Sequence, residues 1–182
     1  MSVKEIIENY QPCDMREESD KAQMLKFIDT FDDVLTRNNT FGHFSASAFV
    51  VNKERTKMVS VYHIINEGWT YPGGHADGSP DLLSVAARET WEETGLEPII
   101  LSEEPILLSS NPVPPHIKRG IFVSSHIHFD LLYLMEADDT IPLVFRSDES
   151  KGVKWIPFGE IDNEKMVDFV KPLVKKLILK AK

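Results

Sequence analysis

Hydrophobic residues near the start of the chain recur every three or four positions, which is the spacing of amphipathic helices. Ser2 and Glu5 have the spacing of a capping box, and Asp20 and Gln23 have the same spacing before a second apolar run. This pattern predicts two short helices in residues 1–40, packed on the rest of the protein as an N-terminal extension.

Beyond that extension, short apolar runs separated by turns predict a sheet in the domain formed by residues 41–182. Runs at 44–51 and 57–64 flank the polar turn 52–55 and are typical of a hairpin. Further strands are predicted at 99–101, 106–108, 126–135 and 153–156, with a proline-rich loop at 111–115. A last helix is predicted from 162 to about 179, kinked or restarted at Pro172. This order indicates an α/β fold, a mixed sheet between helices in an α/β/α sandwich with a C-terminal helix.

The composition narrows the class of protein. With 182 residues, of which 42% are hydrophobic, the chain is long enough for one domain with a sizeable core. A net charge of −9 and the lack of a long basic run argue against a nucleic-acid partner held by phosphate contacts. A single cysteine, Cys13, excludes an internal disulfide and fits a reducing cytosol. Without a signal-peptide pattern or a membrane-length apolar stretch, we expect a cytoplasmic protein with no membrane partner.

Three glutamates, Glu89, Glu92 and Glu93, follow a glycine pair at helical spacing and therefore fall on one face of a helix. Carboxylates so close repel one another, and hard oxygen ligands suit Mg²⁺ or Mn²⁺ better than zinc. Arg88 stands four residues before Glu92 and can neutralise or orient part of the cluster. The cluster thus predicts a divalent-metal site; a solvated acidic helix face is the alternative.

The flanking residues give this helix clear ends. A helix is predicted from about 81 to 94, with Gly95 as a left-handed cap and Pro98 beyond it.

The stretch from Gly74 to Leu96 resembles the Nudix box, in which these positions are in register: Gly74, Arg88, Glu89, Glu92, Glu93, Gly95 and Leu96.

Two positions depart from the box. Pro80 replaces its first glutamate and Thr90 replaces an apolar residue. In the family the first glutamate usually supports the loop, so Pro80 bears on loop geometry more than on chemistry. Proline is tolerated in a first helical turn, and Ser79 or Asp81 can cap the helix there. Asp81 can also supply a substitute carboxylate.

The resemblance implies a Nudix-type fold and a metal-assisted attack of water on a phosphoanhydride, in a nucleoside diphosphate linked to another moiety. It assigns metal ligation to the three glutamates and the Gly73 carbonyl, with Mg²⁺ or Mn²⁺ as cofactor and Arg88 orienting the carboxylates. Many members take the general base from a loop before a strand that ends in tryptophan. Here that loop is 146–150, ahead of Trp155, and Glu149 is the candidate; a solvated turn explains it equally well.

Candidate substrate-binding residues lie outside the box. His126 and His128 are two apart in a predicted strand and share a side, where they can bind phosphate or a metal, or be ordinary polar residues. Two other candidates are His75, beside the glycine pair, and Tyr71, which can stack on a base or pack. The last is the cationic cluster of His116, Lys118 and Arg119, which can meet a phosphate tail or belong to a solvated loop.

Two other functions compete with hydrolysis. A nucleotide sensor that binds without hydrolysing is compatible with Pro80, although both Glu92 and Glu93 are present. An isomerase of the isopentenyl-diphosphate kind needs a catalytic cysteine in the core, and Cys13 is far upstream. ADP-ribose-like compounds, nucleoside triphosphates and dinucleoside polyphosphates all stay open as substrates, as does a homodimer formed through the terminal helices.

Overall fold

The computed structural model describes residues 1–118, 120–145 and 150–181. In these ranges the chain forms four α-helices: α1 Val3–Asn9, α2 Met15–Thr30, α3 Leu82–Thr94 and α4 Val170–Lys180. Ten strands accompany them: β1 Gly42–Val51, β2 Lys57–His63, β3 Gly68–Thr70, β4 Gly73–His75, β5 Ile99–Ile100, β6 Leu107–Val113, β7 His116–Lys118, β8 Ile121–Val123, β9 His126–Glu136 and β10 Ser150–Pro157. No helix in the described ranges has the length and apolar character to cross a bilayer.

Eight strands form one mixed sheet around a parallel pair, β1 and β9, whose register runs from Gly42 opposite Ile127 to Val51 opposite Glu136. β2 and then β10 continue the sheet on one side in antiparallel fashion, and β5 and β6 pair antiparallel with β9 on the other. The short strands β3 and β4 pair with β2 and β1. β7 and β8 form a separate hairpin.

Alternation along the two central strands divides their side chains between the faces of the sheet. On one face, Phe44 and Phe129 belong to a core that is closed by α1, α2 and α3. On the other, Phe49 and Leu132 belong to a core closed by α4. The predicted α/β/α arrangement with a mixed sheet is confirmed.

The N-terminal helices are present, but only the first begins where predicted. Ser2 accepts a hydrogen bond from the Glu5 N–H at 3.2 Å, and the Glu5 carboxylate accepts from the Ser2 N–H at 2.7 Å, so the capping box of α1 is confirmed. The capping box predicted at Asp20 is wrong. Helix α2 already begins at Met15, because the Asp14 side chain caps it by accepting from the Glu17 N–H at 3.0 Å.

The predicted hairpin at 52–55 is confirmed, and the Asn52 side chain stabilises it by accepting from the N–H groups of Thr56 and Lys57. Residues 107–123, much further along the chain, differ from the prediction. The loop predicted at 111–115 is partly wrong, because β6 continues through Pro112 to Val113. An outer strand tolerates this proline, since in the described part of the chain β6 pairs only with β9. The β7–β8 hairpin was not predicted at all.

Helix α4 begins at Val170, eight residues later than predicted. Pro172 therefore lies in its first turn, where the missing N–H has no partner to lose, and the predicted kink does not arise.

A buried ion cluster connects α2 to α4. The Glu17 side chain is 1% exposed and accepts hydrogen bonds from Nζ of Lys176 and Nζ of Lys180, each at 2.7 Å, and from the Tyr10 hydroxyl at 2.7 Å. Burial alone would raise the pKa of this carboxyl, but these donors and the Cys13 N–H outweigh burial and lower the pKa to about 2.

This cluster predicts a specific loss of stability in acid. An ordinary glutamate has a pKa of 4.5, so between about pH 4.5 and pH 2 the unfolded chain binds a proton at Glu17 that the folded chain does not. The free energy of unfolding should therefore fall over that window by up to about 3 kcal/mol through this residue alone. Urea unfolding at several pH values measures it.

Glu17→Gln should be less stable at neutral pH and should have a shallower acid dependence than the parent. Glu18→Gln, which alters an exposed neighbour on the same helix, should keep the parent's dependence. Equal slopes for the parent and Glu17→Gln would contradict the prediction.

Candidate active site

The carboxylates of α3 face the short strand β4, which carries the glycine pair. The Gly73 N–H donates to Oε2 of Glu93 at 3.0 Å. A Cβ on Gly74 would lie 2.6 Å from Oε2 of Glu89, closer than such atoms come in proteins, so a larger residue here would force the carboxylate to shift. The glycine pair and the helix therefore form one unit.

Arg88 connects two members of the acidic cluster. Its guanidinium donates to Oε1 of Glu89 at 2.8 Å, and its Nε lies 4.0 Å from Oε1 of Glu92. The hydrogen bond to Glu89 and the charges of both carboxylates raise the pKa of Arg88 above its ordinary value. The structure therefore places Arg88 where it can orient the carboxylates.

The structure shows how the two departures from the box fit around α3. Pro80 lies before the helix and not in its first turn as expected, because Asp81 is the N-cap. Asp81 caps α3, since its two carboxylate oxygens accept from the backbone N–H and the hydroxyl of Ser84 at 3.1 and 2.7 Å. Asp81 therefore acts as the helix cap rather than as a substitute carboxylate. Thr90 is fully buried and donates its hydroxyl to the Ala86 carbonyl at 2.9 Å, so a polar residue is tolerated there. Gly95 ends the helix at φ 75°, as predicted.

A cavity of about 480 Å³ opens beside the glycine pair. This volume is within the range that accommodates a nucleotide-sized ligand. Gly73, Gly74 and Glu93 line one part of it, and Phe169 and Val170 line another. All six histidines of the chain also line it: His43, His63, His75, His116, His126 and His128.

Four of these histidines are in mutual contact. Nε2 of His128 lies 3.3 Å from Nε2 of His75 and 3.1 Å from Nε2 of His126. His43 pairs with His128 across the parallel strands, and its ring centroid is 4.8 Å from that of His128. The four residues, His43, His75, His126 and His128, are called the histidine cluster below.

Burial keeps three of these rings neutral. It lowers the pKa of His43 to about 4 and that of His75 to about 3, and it lowers the pKa of His128 well below the ordinary 6.5. Repulsion among the rings adds to the effect for all three. Neutral imidazole is a good metal ligand and a good hydrogen-bonding group at physiological pH.

A buried carboxylate, Asp130, lies on the same wall of the cavity. Ser45 and Ser47 donate their hydroxyls to its Oδ1 at 2.8 and 3.0 Å, while its Oδ2 has no hydrogen-bond partner in the described part of the chain. Burial raises the pKa of Asp130 to about 6, although the two serines act in the opposite direction.

The remaining predicted substrate residues divide into two groups. Tyr71 and Lys118 line the cavity, Tyr71 buried at 6% exposure and Lys118 exposed on β7. Glu149 and Arg119 lie outside the described residues.

Sequence reasoning missed His43, Ser45, Ser47, His63 and Asp130. The strand predicted at 44–51 began one residue too late to include His43. A pattern was available, because polar residues at 43, 45 and 47 and at 126, 128 and 130 alternate with apolar ones. What the pattern does not contain is the pairing that brings the two strands together.

Comparisons with known proteins agree with this architecture. A family model described as the NUDIX domain matches residues 42–177. The chain is 30% identical over 119 residues to the CMP-5'-(N-acetyl-N-hydroxy-3-aminopropyl)phosphonate hydrolase of Streptomyces rubellomurinus, a match that covers 63% of this chain and 52% of that protein. It is 29% identical over 122 residues to the RNA pyrophosphohydrolase of Sphingopyxis alaskensis, covering 62% of this chain and 75% of that one. The m7GpppN-mRNA hydrolase NUDT17 of Bos taurus is 34% identical over 82 residues, covering 44% and 26%.

Solved structures share the fold at low sequence identity. A NUDIX family hydrolase from Clostridium perfringens superposes with a TM-score of 0.59 at 19% identity, covering 77% of this chain and 98% of that one. The MutT protein of Methanosarcina mazei superposes with a TM-score of 0.58 at 16% identity, covering 79% and 98%. The chain spans about half the length of the Streptomyces relative and about a quarter of the Bos taurus one.

The close contact between Gly74 and Glu89 predicts the effect of a single methyl group. Gly74→Ala should displace the Glu89 carboxylate or β4, and so weaken Mn²⁺ binding at the acidic cluster by about tenfold or more. Isothermal titration calorimetry of both proteins with Mn²⁺ measures this.

Gly159→Ala is the matched control, because a Cβ there meets nothing within 4 Å. It should bind Mn²⁺ as the parent does. Unchanged affinity in Gly74→Ala would show that the strand is not held against a metal-binding carboxylate.

Proposed function

This chain belongs to the Nudix family, and we propose that it is a metal-dependent pyrophosphohydrolase that cleaves a phosphoanhydride in a nucleoside diphosphate linked to another moiety. The observation that supports this most strongly is the contact of the α3 carboxylates with the glycine pair at the edge of a nucleotide-sized cavity. This contact places charged oxygen donors beside a cavity in which a ligand can bind.

The residues present fit a hard divalent cation. Carboxylates of Glu89, Glu92 and Glu93 form the donor set, with the Gly73 carbonyl as the further ligand that we propose. The close approach at Gly74 keeps one of these carboxylates against the loop. We propose Mg²⁺ or Mn²⁺ as the cofactor, which when bound offsets phosphate charge and lowers the pKa of a bound water.

The groups around the metal-binding carboxylates have separate roles in this proposal. Arg88 orients Glu89 and Glu92 through the contacts described above. The Gly73 N–H holds Glu93 at the cavity wall. Glu149 stays our candidate for the general base that accepts a proton from water.

The cavity itself supports a nucleotide-type substrate. Neutral imidazoles and the buried Asp130 provide hydrogen-bonding groups, and Lys118 provides a cation for a phosphate tail. Tyr71 is mostly enclosed by its neighbours, so we assign it to shaping the wall rather than to stacking. His75, His126 and His128 face the substrate directly.

The names of the relatives indicate which compounds belong in a panel of test substrates. One is named for a CMP-linked phosphonate and others for RNA or for m7GpppN-mRNA. A small nucleotide is the substrate class that we propose, because the chain is acidic, and the RNA-type substrates serve as the contrasting arm of the test. A reducing cytosol is the compartment proposed from the single cysteine.

The test is product release from such a panel with Mg²⁺ or Mn²⁺. Glu93→Gln keeps the size of the side chain but removes its charge, and it should lower kcat/KM by at least about 100-fold, since metal stabilisation of the transition state amounts to several kcal/mol. Glu97→Gln, an exposed residue just beyond α3, should retain parental activity.

A nucleotide sensor makes the opposite prediction. It would bind one nucleotide tightly and release no product with any member of the panel. Metal-dependent turnover that is the same in the parent and in Glu93→Gln would overturn the assignment of the acidic cluster.

A further inference from the structure

The histidine cluster, to which the proposed function assigns only hydrogen bonding to a substrate, also brings three nitrogen donors together in the arrangement of a metal site. One ring nitrogen each from His43, His75 and His128 lie within 4.8 Å of one another. The three residues come from adjacent strands, since β1 lies between β4 and β9. A rigid sheet, rather than a loop, therefore fixes their positions.

The spacing of the His75 and His128 nitrogens matches a metal coordination sphere. Zinc binds imidazole nitrogen at about 2.0–2.1 Å, and tetrahedral geometry then places neighbouring ligand nitrogens about 3.3 Å apart. The observed separation of Nε2 of His75 from Nε2 of His128 is 3.3 Å. The third nitrogen lies within 4.8 Å of the other two, and a bound ion would draw it in to the tetrahedral spacing.

Hydrogen bonds among the rings cannot satisfy the cluster by themselves. Nδ1 of His126 lies 2.9 Å from the Ser124 carbonyl, so it carries the proton and Nε2 of His126 is an acceptor. Nε2 of His128 lies close to that acceptor and also to Nε2 of His75. A single proton on Nε2 of His128 can serve one of these contacts, and the other is left without a proper donor and acceptor pair.

His43 supplies an independent indication. His43 is only 4% exposed, and its Nε2 has no hydrogen-bond partner among the described residues. Its Nδ1 lies 3.5 Å from the Asn39 carbonyl, which favours the tautomer with a lone pair on Nε2. A buried nitrogen lone pair without a donor is costly unless a ligand completes it.

We propose that His43, His75 and His128 form a binding site for a transition-metal ion of the zinc class, separate from the carboxylate site for Mg²⁺ or Mn²⁺. Imidazole donors suit zinc, cobalt and nickel, whereas magnesium prefers oxygen. Three protein ligands leave one coordination position open toward the cavity. An anionic oxygen, such as a phosphate oxygen of a bound ligand, is the group that this position accepts.

The test uses Co²⁺ as a spectroscopic probe, added to the full chain in the presence of excess Mg²⁺. Mg²⁺ occupies the oxygen donors, so the remaining Co²⁺ signal reports nitrogen ligation. We expect one equivalent of Co²⁺ to bind with the intense visible absorption of a four-coordinate ion. His43→Gln and His128→Gln should each weaken this binding by at least about 100-fold, beyond the effect of losing an outer-shell partner.

Two control variants separate this site from its surroundings. His116→Gln changes a histidine that lines the cavity outside the trio and should leave the Co²⁺ spectrum unchanged. Glu93→Gln, which tests the proposed hydrolysis, should also leave the spectrum unchanged. The two proposals therefore fail independently.

A measurement on the unsubstituted protein guards against variants that do not fold. X-ray absorption of the zinc-loaded chain should show three imidazole nitrogens at about 2.0–2.1 Å. An all-oxygen shell would overturn the proposal. So would a Co²⁺ spectrum that survives in folded His128→Gln but disappears in Glu93→Gln.

Discussion

The parallel pairing of β1 with β9 is the constraint on which the rest of the structure depends. Its register places His43 beside His128 and Ser45 beside Asp130 on one face, and Phe44 beside Phe129 on the other. A shift of one residue in either strand would turn the polar set into the core and the apolar set into the cavity. The same hydrogen-bond ladder therefore determines both what is buried and what is available for chemistry.

The sequence was most informative where the relevant contacts are local. The spacing of Glu89, Glu92 and Glu93 and the glycine cap at Gly95 depend on one helix and its ends, and the predicted bounds of α3 differ from the observed ones by one residue. The main strands and the two-layered helical packing were also predictable from apolar periodicity. Boundaries were wrong where a single side chain decided them, as at Asp14, which caps α2 six residues ahead of the predicted start.

The composition of the cavity was not predictable to the same extent. His43 and His128 are 85 positions apart in sequence and become neighbours only through a parallel pairing, which no turn between them specifies. His75 joins them because β4 adds to the opposite edge of β1. Each histidine considered alone has an ordinary explanation as a polar surface residue. Their convergence is a property of the topology, and so is the pairing of two serines with the buried Asp130.

The described cavity also separates two kinds of donor. Charged oxygens come from α3, while neutral nitrogens come from the sheet, and the segment Gly73 to His75 is the boundary between them. Arg88 lies on the carboxylate side, where it offsets charge. On the other side, burial lowers the pKa of His43, His75 and His128 and keeps these rings uncharged. A ligand in this space meets a carboxylate from α3 at one edge and, on the wall, buried imidazoles beside Asp130.

The packing of α2 has a consequence for how the protein behaves in a crowded solution. Among the described strands β6 pairs only with β9, so its other edge would present a row of backbone donors and acceptors to any passing chain. Helix α2 packs against β6, and Lys180 donates to the Ile106 carbonyl just before that strand. Helices α2 and α4 thus shield this edge of the sheet from edge-to-edge association, and loss of α2 would expose a template for aggregation.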